Sequence, residues 1–313
     1  MSVVRLSPTS CAICRRPENA TELSPATFDH RSFNALTFSA RRLPDGVHYR
    51  IVKCNTCGLV RSDPVADTLV LAELYAQSSF DYAGEVDNIR ATYGRYLAKA
   101  VSYGIQKGPL LEIGCGNGFF LEEALFRGYS PVQGIETSRI AVERATPAVR
   151  DKILCAAMEP GLFSPESFEI ICLFQVIDHL PEPGAVLAEC HKLLRPGGLI
   201  LIISHNVDSL SAKLLRNRSP IIDIEHTYLF SPATLSRLLA VHGFQAIESG
   251  SVSNIYTLRY LAQMVPLGKG LKRVLLGLLK ITSGGGIRLS LPLGNLYLVA
   301  RKPADAGRQE AST

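Results

Sequence analysis

Three glycines at every second position, Gly114, Gly116 and Gly118, constrain the fold of this chain more than any other feature. They follow directly on the apolar segment Leu110–Ile113, which the pattern predicts as a short buried strand, and they precede a predicted helix at residues 119–127. A glycine-rich turn between a strand and a helix allows the backbone to approach a bound nucleotide closely. The sequence therefore predicts a nucleotide-binding α/β fold.

The alternation of strand-like and helix-like segments continues through the rest of the chain. Further strands are predicted at residues 131–135, 152–155, 168–174, 199–204, 244–249 and 295–300, and further helices at 138–145, 183–194 and 232–241. Strands that alternate with helices indicate a mostly parallel sheet with helices on both faces. No apolar run in the 313 residues reaches the length of about 18 that would suggest a membrane span.

The residues around the glycines indicate which kind of cofactor the turn would hold. A dinucleotide-binding fingerprint would place its third glycine at position 119, where this chain has Phe119. Glu112 lies two residues before the first glycine, where a carboxylate would repel a pyrophosphate and would suit a cofactor with a cationic end, such as S-adenosylmethionine. Glu136 ends the next predicted strand, at the place for a carboxylate that accepts hydrogen bonds from both ribose hydroxyls.

Taken together, these motifs resemble those of class I S-adenosylmethionine-dependent methyltransferases. The resemblance covers roughly residues 70–301, and it includes the pair Asp178-His179 after the fourth strand, where the family usually has Glu-His, and a Pro-Gly-Gly turn before the fifth strand. It implies a Rossmann-like sheet of seven strands, the last of them antiparallel and located here at residues 295–300.

The resemblance also implies a set of cofactor-binding residues. The glycines would wrap the methionine part and Glu136 would hold the ribose, while Met158 would lie against the adenine and Phe174 and Gln175 would face the methionine end. The full predicted set is Glu112, Gly114, Gly116, Gly118, Glu136, Met158, Phe174 and Gln175.

Two Cys-x-x-Cys pairs precede the α/β pattern, and they predict a structural zinc site. The four candidate ligands are Cys11, Cys14, Cys54 and Cys57, and an apparent hairpin region at residues 37–53 bridges the two pairs. The alternative interpretation is four free thiols. The other cysteines, in apolar contexts, are predicted to be core residues; they are Cys115, Cys155, Cys172 and Cys190.

A subgroup of the methyltransferase family resembles this arrangement, with a four-cysteine zinc ribbon ahead of the catalytic fold and Cys-Gly-Leu-Val-Arg at residues 57–61. Members of this subgroup modify small molecules or sugar nucleotides, and some methylate a sugar carbon. The longer sugar enzymes carry an additional carboxyl-terminal domain, for which this chain is too short, and this weakens a direct transfer of their substrate.

The patterns divide the chain into four parts. Residues 1–65 are predicted as a zinc-ribbon-like unit, 66–108 as a helical linker or lid, 109–302 as the methyltransferase domain, and 303–313 as a polar tail. The domain contains a basic helical insert near residues 255–285. Within it, the stretch 260–281 either covers the substrate cleft or forms a basic amphipathic helix that contacts an anionic membrane.

Three residues are predicted as catalytic candidates. His226 and Glu225 lie in the loop after the fifth strand, and loops at the carboxyl ends of such strands face the cofactor crevice. We expect His226 to be the acceptor-side base or orienting group, supported by Glu225, although a structural histidine is the alternative. His179 is expected to brace its own loop, with a catalytic role as the alternative, and His205 is a third histidine at the same sheet edge.

Charge and cysteine content narrow the function classes. The net charge of +5 is concentrated at the two ends of the chain, which is not the distribution of a protein coated for DNA. The absence of a secretory signal and the sparse cysteines indicate a cytoplasmic protein, with membrane association left open.

The main hypothesis is methylation of a small-molecule, sugar or lipid-linked acceptor. An RNA methyltransferase with a zinc module is the alternative, and it is disfavoured because the segment after residue 174 lacks the motifs used on nucleic-acid bases. The oligomeric state is not indicated.

Overall fold

The computed structural model describes residues 5–29, 46–77, 84–264, 267–282 and 284–304. Much of the hairpin predicted at residues 37–53, and all of the polar tail from residue 305 onwards, lie outside the described residues. The strands before the glycine loop are β1 (Leu6–Ser7), β2 (Ala20–Ser24), β3 (Ile51–Cys54), β4 (Val60–Ser62) and β5 (Val65–Ala66), and the helices are α1 (Thr68–Ala76) and α2 (Val86–Ser102).

The α/β part alternates strands and helices as the sequence predicts. Its first half contains β6 (Leu110–Ile113), α3 (Phe119–Phe126), β7 (Val132–Glu136), α4 (Arg139–Glu143), β8 (Ile153–Cys155), β9 (Phe168–Phe174), α5 (Pro183–Leu193) and β10 (Leu194–His205). Its second half contains α6 (Leu210–Leu215), β11 (Tyr228–Leu229), α7 (Pro232–Val241), β12 (Gln245–Ser251), β13 (Asn254–Thr257), α8 (Leu258–Met264), α9 (Lys269–Ile281), β14 (Arg288–Leu291) and β15 (Asn295–Arg301). Short 3₁₀ turns lie at Arg150–Lys152, Arg216–Arg218 and Gly284–Gly286.

A seven-stranded sheet forms the centre of the molecule, in the order β12-β15-β10-β9-β6-β7-β8. Strand β15 is antiparallel to both of its neighbours, and the five strands from β10 to β8 run parallel to one another. This arrangement confirms the predicted Rossmann-like α/β sheet and its antiparallel last strand.

The two faces of the central strand β9 contribute to two separate apolar layers. Ile171 and Leu173 pack in the layer that includes helices α5 and α7, whereas Ile170, Cys172 and Phe174 pack in the layer that includes α2 and α3. Side chains alternate across a strand, so a strand covered on both faces reads as a nearly continuous apolar run, which in β9 is interrupted only by Glu169. This is why the bounds of β9 could be predicted correctly.

Two local predictions differ from the structure. Cys155 is exposed, because β8 is the edge strand of the sheet, so the prediction that it is a core residue was wrong; Cys115, Cys172 and Cys190 are buried as predicted. The fifth strand, predicted to begin at residue 199, already begins at Leu194, and its pairing with β9 is interrupted between Leu194 and Leu199. The interruption coincides with the Pro-Gly-Gly turn, which strand pairing cannot follow regularly.

A second, smaller sheet joins the amino-terminal part of the chain to the α/β part. Its order is β11-β4-β3-β2, so a strand from the loop after β10 completes a sheet that otherwise belongs to residues 20–62. Tyr228 pairs with Arg61 and Leu229 pairs with Val60, in antiparallel register. The loop that carries His226 is therefore attached to the cysteine-containing unit by main-chain hydrogen bonds.

An insert lies between β12 and β15. Strands β13 and β14 pair with each other as an antiparallel ribbon, and helices α8 and α9 lie between them in the chain and pack together. Among the described residues, no helix is both long enough and apolar enough to span a membrane.

Candidate functional site

The glycine loop adopts a backbone conformation that side chains would not tolerate. Gly114, Gly116 and Gly118 have φ angles of +71°, +57° and +77°, in the left-handed region that favours glycine. A Cβ atom at Gly114 would lie 2.4 Å from Val176 Cγ2, and one at Gly118 would lie 2.8 Å from Val149 Cγ2. The loop after β6 therefore needs glycine both for its conformation and for the close approach of its neighbours.

Two carboxyl groups are buried beside this loop. Glu136 Oε2 accepts a hydrogen bond of 2.8 Å from the Gly116 amide, and its Oε1 accepts one of 2.7 Å from the Ser138 amide. Burial raises the pKa of Glu136, although the amides of Ser138 and Gly116 oppose the shift. Burial raises the pKa of Glu112 well above its usual range, and the nearby Glu136 carboxylate adds to this.

Among the described residues, one oxygen of Glu112 has no hydrogen-bond partner. Its Oε2 is buried, and none of the described residues donates a hydrogen bond to it. An unpaired buried acceptor costs about 1–3 kcal/mol, and more when it is charged. A carboxyl group in this environment is suited to a bound cation, which would pair with it and favour its ionised form.

The other predicted cofactor residues have different environments. Phe174 is buried in an aromatic cluster, with its ring centroid 4.4 Å from that of Tyr93 and 4.7 Å from that of Phe120. Gln175 has a φ of +57°, and its backbone amide donates a hydrogen bond of 2.7 Å to the backbone carbonyl oxygen of Ile203. Met158 is half-buried against the apolar layer that contains α5.

A pocket opens beside Gln175, and the sequence did not predict its walls. Helix α2 and the segment β13–α8 supply most of the lining, which consists of Glu85, Ile89, Thr92, Tyr93, Gln175, Asn254, Ile255, Tyr256, Tyr260 and Asn295. Its tyrosine rings and polar side chains offer both apolar and hydrogen-bonding surface to a ligand.

A second cluster lies at the carboxyl ends of β9 and β10, where three imidazoles meet around Asp178. His205 Nδ1 lies 2.5 Å from Asp178 Oδ2, and the His226 ring centroid lies 4.4 Å from that of His205 and 4.8 Å from that of His179. One ligand-type atom from each of Asp178, His179 and His226 lies within 4.8 Å of the others. The cluster therefore has the group types of a proton-transfer site and also those of a metal site.

Burial sets the protonation of this cluster. It lowers the pKa of His226 well below its usual range, and the imidazoles of His205 and His179 add to the effect. It also lowers the pKa of His179, against the opposing attraction of Asp178. Burial alone would raise the pKa of Asp178, but the neighbouring imidazoles of His179 and His205 outweigh it and hold that pKa below its usual range. The structure thus favours a neutral His226 close to an ionised Asp178.

Hydrogen bonds fix the orientation of both candidate histidines. His226 Nδ1 lies 2.9 Å from the Ile221 carbonyl oxygen, which can only accept, so the proton of the neutral ring is on Nδ1 and Nε2 carries the lone pair. His179 Nδ1 lies 3.2 Å from the hydroxyl of Tyr75, which also donates a bond of 3.1 Å to the Glu225 carbonyl oxygen. Tyr75 joins the two loops, and no local sequence pattern had indicated this role.

One short loop connects the glycine loop with the histidine cluster. The segment 175–179 begins at Gln175, places Val176 against Gly114 and ends at His179. The carbonyl oxygen of Asp178 accepts hydrogen bonds of 2.9 Å and 3.1 Å from the amides of Thr227 and Tyr228. The structure therefore brings the glycine loop, Gln175 and the histidine cluster to the carboxyl ends of the same parallel strands.

The four predicted metal ligands also come together. One sulfur from each of Cys11, Cys14, Cys54 and Cys57 lies within 4.8 Å of the others, and Cys11 Sγ is 3.4 Å from Cys57 Sγ. All four are free thiols. The backbone amides of Cys57 and Thr56 outweigh burial and lower the pKa of Cys54 to about 7.

The two cysteine pairs have matching backbone turns. The Arg15 amide donates to the Cys11 carbonyl oxygen at 2.8 Å, and the Gly58 amide donates to the Cys54 carbonyl oxygen at 2.9 Å. Arg15 and Gly58 both have positive φ angles, +57° and +79°. Two such turns facing each other present four sulfurs to one point, which suits the tetrahedral coordination of zinc.

The sheet with its single antiparallel strand, the glycine loop and the buried carboxyls at one sheet edge define a class I methyltransferase fold with an amino-terminal four-cysteine unit. The comparison with protein families agrees. The chain belongs to the methyltransferase-domain family, whose model matches residues 86–249, just over half of the chain.

Among curated proteins, the chain is similar to ubiquinone biosynthesis O-methyltransferases. It is 27% identical over 158 residues to that of Colwellia psychrerythraea, which corresponds to 46% of this chain and 63% of the relative. It is 29% identical over 108 residues to that of Photobacterium profundum, 33% of this chain and 46% of the relative. The chain thus spans about half to two thirds of the length of these relatives.

Solved structures with a similar fold are less similar to this chain in sequence than these relatives are. One is an S-adenosylmethionine-dependent methyltransferase from Archaeoglobus fulgidus, with 19% identity, a TM-score of 0.47, and coverage of 75% of this chain and 100% of that one. Another is the geranyl diphosphate C-methyltransferase of Streptomyces coelicolor, with 15% identity, a TM-score of 0.47, and coverage of 68% of this chain and 78% of that one.

Proposed function

We propose that this protein transfers a methyl group from S-adenosylmethionine to a small-molecule acceptor. The observation that carries the proposal is the buried Oε2 of Glu112, which receives no hydrogen bond from the described part of the chain and lies next to Glu136 and the glycine loop. Membership of the methyltransferase-domain family supports the activity. When bound, S-adenosylmethionine would supply an electrophilic methyl group on a sulfonium.

The residues that would hold the cofactor lie at the carboxyl ends of β6 and β7. Gly114, Gly116 and Gly118 would admit the methionine part, and Glu112 would pair with its cationic groups. The ribose hydroxyls would donate hydrogen bonds to the Glu136 carboxylate. The backbone amides of Gly116 and Ser138 already hold this carboxylate in place. Met158 is proposed at the adenine, and Phe174 and Gln175 at the methionine end.

On the acceptor side, we assign His226 as the base or orienting group. A neutral ring with its lone pair on Nε2 can accept a proton from an acceptor hydroxyl, because the Ile221 carbonyl holds the other ring proton. His205 and His179 lie against this ring, and the ionised Asp178 would stabilise positive charge that develops on the cluster. Glu225 is proposed to help bind the acceptor.

We assign a structural zinc ion to Cys11, Cys14, Cys54 and Cys57. The supporting observation is the convergence of four free thiols on two matched turns. Zinc would stabilise the folded state of the amino-terminal unit, here taken as residues 1–65, because so small a unit has little core of its own. Residues 66–108 would then be a helical lid, and 109–302 the methyltransferase domain.

The acceptor class is inferred from the site and from the relatives. The pocket beside Gln175 has tyrosine and polar walls, and the similar curated proteins are named for O-methylation in ubiquinone biosynthesis. Both support a small organic acceptor; within that class, sugars and lipid-linked molecules remain our candidates.

The test is calorimetric binding of S-adenosylmethionine and of S-adenosylhomocysteine, followed by transfer of a labelled methyl group into separate small-molecule, lipid and RNA fractions. We expect both cofactor forms to bind, and we expect label in the small-molecule or lipid fraction. Glu136→Ala should weaken binding by about 1–3 kcal/mol, because it removes two charge-assisted hydrogen bonds. Glu143→Ala, an exposed acid on α4, is the matched control and should bind normally. Absence of cofactor binding, or label in RNA alone, would contradict the proposal.

A further inference from the structure

Helix α9 exposes an apolar stripe to solvent. Leu271, Val274, Leu278 and Ile281 follow one another at spacings of three or four residues, and they are 60%, 59%, 55% and 82% exposed. Such spacing places all four side chains on one side of the helix. Folded chains rarely leave a continuous apolar stripe of this kind uncovered, so it indicates an interaction surface.

The chain segment that carries the stripe has charges of a single sign. Between Glu248 and Asp305 the sequence contains eight lysines and arginines and no aspartate or glutamate. Arg273 and Lys280 are exposed on the same helix, and Arg259 and Arg288 are exposed at the start of α8 and in β14. A basic amphipathic helix with an exposed apolar side has the composition that binds at the interface of an anionic bilayer.

The side of α9 adjacent to the stripe is attached to the protein. Leu275 and Leu279 are half-buried where α9 packs with α8, and Lys272 Nζ donates a hydrogen bond of 2.8 Å to the Gln263 carbonyl oxygen of α8. The helix is thus held with its apolar stripe outwards.

The insert also reaches the pocket beside Gln175. Tyr260 of α8 and Tyr256 of β13 line this pocket, and their rings stack with centroids 5.6 Å apart. The same insert therefore carries both the exposed stripe and part of the wall of the pocket.

We propose that the exposed side of α9 docks on a membrane that contains anionic lipid, with the apolar stripe inserted among the acyl chains and the basic residues at the headgroups. The net positive charge of this segment selects an anionic bilayer over a protein partner of mixed charge. Docking here would place the pocket beside the bilayer, from which a lipid-linked acceptor could enter. The docking itself does not depend on the proposed methyl transfer.

The test is flotation of the full-length protein with vesicles of phosphatidylcholine alone or of phosphatidylcholine with one quarter phosphatidylglycerol. We expect binding to the anionic vesicles only, with loss of binding as salt screens the headgroups. Leu271→Ser with Leu278→Ser, and separately Arg273→Glu with Lys280→Glu, should each weaken binding at least about tenfold. Phe126→Ser removes an 87% exposed side chain on α3, and we expect it to leave vesicle binding unchanged.

Two further measurements test whether a variant that fails to bind vesicles is still folded. Thermal unfolding and cofactor calorimetry show whether each variant is folded, so a failure of docking is distinguishable from a failure of the proposed function. Equal binding to neutral and anionic vesicles, no binding at all, or no effect of the α9 variants would overturn the proposal. So would sedimentation showing that the leucine variants dissociate a dimer, because the stripe would then be covered by a second copy of the chain.

Discussion

The hydroxyl of Ser62 donates a hydrogen bond of 2.8 Å to the backbone carbonyl oxygen of His226. Ser62 belongs to β4 of the cysteine-containing unit, and its amide also donates a bond of 2.9 Å to the Thr227 carbonyl oxygen. Strand β11 begins at the next residue, Tyr228, and pairs with β4. The backbone of the candidate catalytic histidine is therefore held by the amino-terminal unit, across 164 residues of chain.

Replacing Ser62 by alanine should slow methyl transfer without affecting the cofactor. A buried hydrogen bond contributes about 1 kcal/mol to stability, and if all of it serves to position the His226 loop, single-turnover transfer should fall by at most roughly fivefold while the Kd for S-adenosylmethionine stays constant. Ser102→Ala removes an exposed bond from a serine hydroxyl to a carbonyl oxygen and serves as the control. Equal effects on transfer and on cofactor affinity would mean that Ser62 acts on the whole fold.

Removing the metal should affect the acceptor side first. We expect one zinc ion per chain by elemental analysis, and we expect chelation to unfold the amino-terminal unit and abolish methyl transfer. Calorimetric cofactor binding should largely persist, because the glycine loop and both buried glutamates lie on the central sheet. Cys57→Ser should lose zinc, whereas Cys155→Ser, at an exposed cysteine on the sheet edge, should keep it. A fresh preparation without zinc would contradict the assignment.

Cofactor affinity should rise with pH because of Glu112. Its raised pKa means that the free protein holds a proton there at pH values where an ordinary carboxyl is ionised, and a bound cation favours the ionised form. Binding therefore releases a proton, and below that pKa the affinity should increase by up to about tenfold per pH unit. Glu112→Gln should flatten this dependence, whereas Glu143→Gln should not. A pH-independent Kd in the unmodified protein would refute the role given to Glu112.

Substitution of the two candidate histidines should have different effects on methyl transfer and on cofactor binding. His226→Ala should lower single-turnover transfer by about 10²-fold if the acceptor must lose a proton, with cofactor affinity changed by less than about twofold. His179→Ala should instead reduce stability or cofactor binding, because this side chain joins Tyr75 to the 175–179 loop. An active His226→Ala protein beside an inactive but cofactor-competent His179→Ala protein would reverse these roles.

The sequence predicted the sheet well because its central strands are buried on both faces. Leu110–Ile113 and Phe168–Phe174 are short runs bounded by turns, apolar except for one glutamate in each, and both have the predicted bounds. The glycine spacing and the two cysteine pairs are local patterns, and each predicted residues that the structure brings together.

What the sequence could not predict depends on contacts between distant segments. Strand β11 has two residues, too few for a periodic pattern, and its partner in β4 lies more than 160 residues earlier. Tyr75 and Ser62 reach the histidine loop only after the chain has folded. Cys155 has apolar neighbours in sequence, and only the strand order shows that it lies at an exposed edge.

The five-residue loop 175–179 has a consequence for engineering the proposed reaction. Val176 closes on Gly114 at one end, and the Asp178 carbonyl oxygen anchors the Thr227 amide at the other. Because the loop is tied at both ends, a change at either attachment acts on the same five residues. Variants meant to accept a donor bulkier than methyl are therefore expected to need paired substitutions, one near Gly114 after β6 and one near Thr227 in the loop after β10.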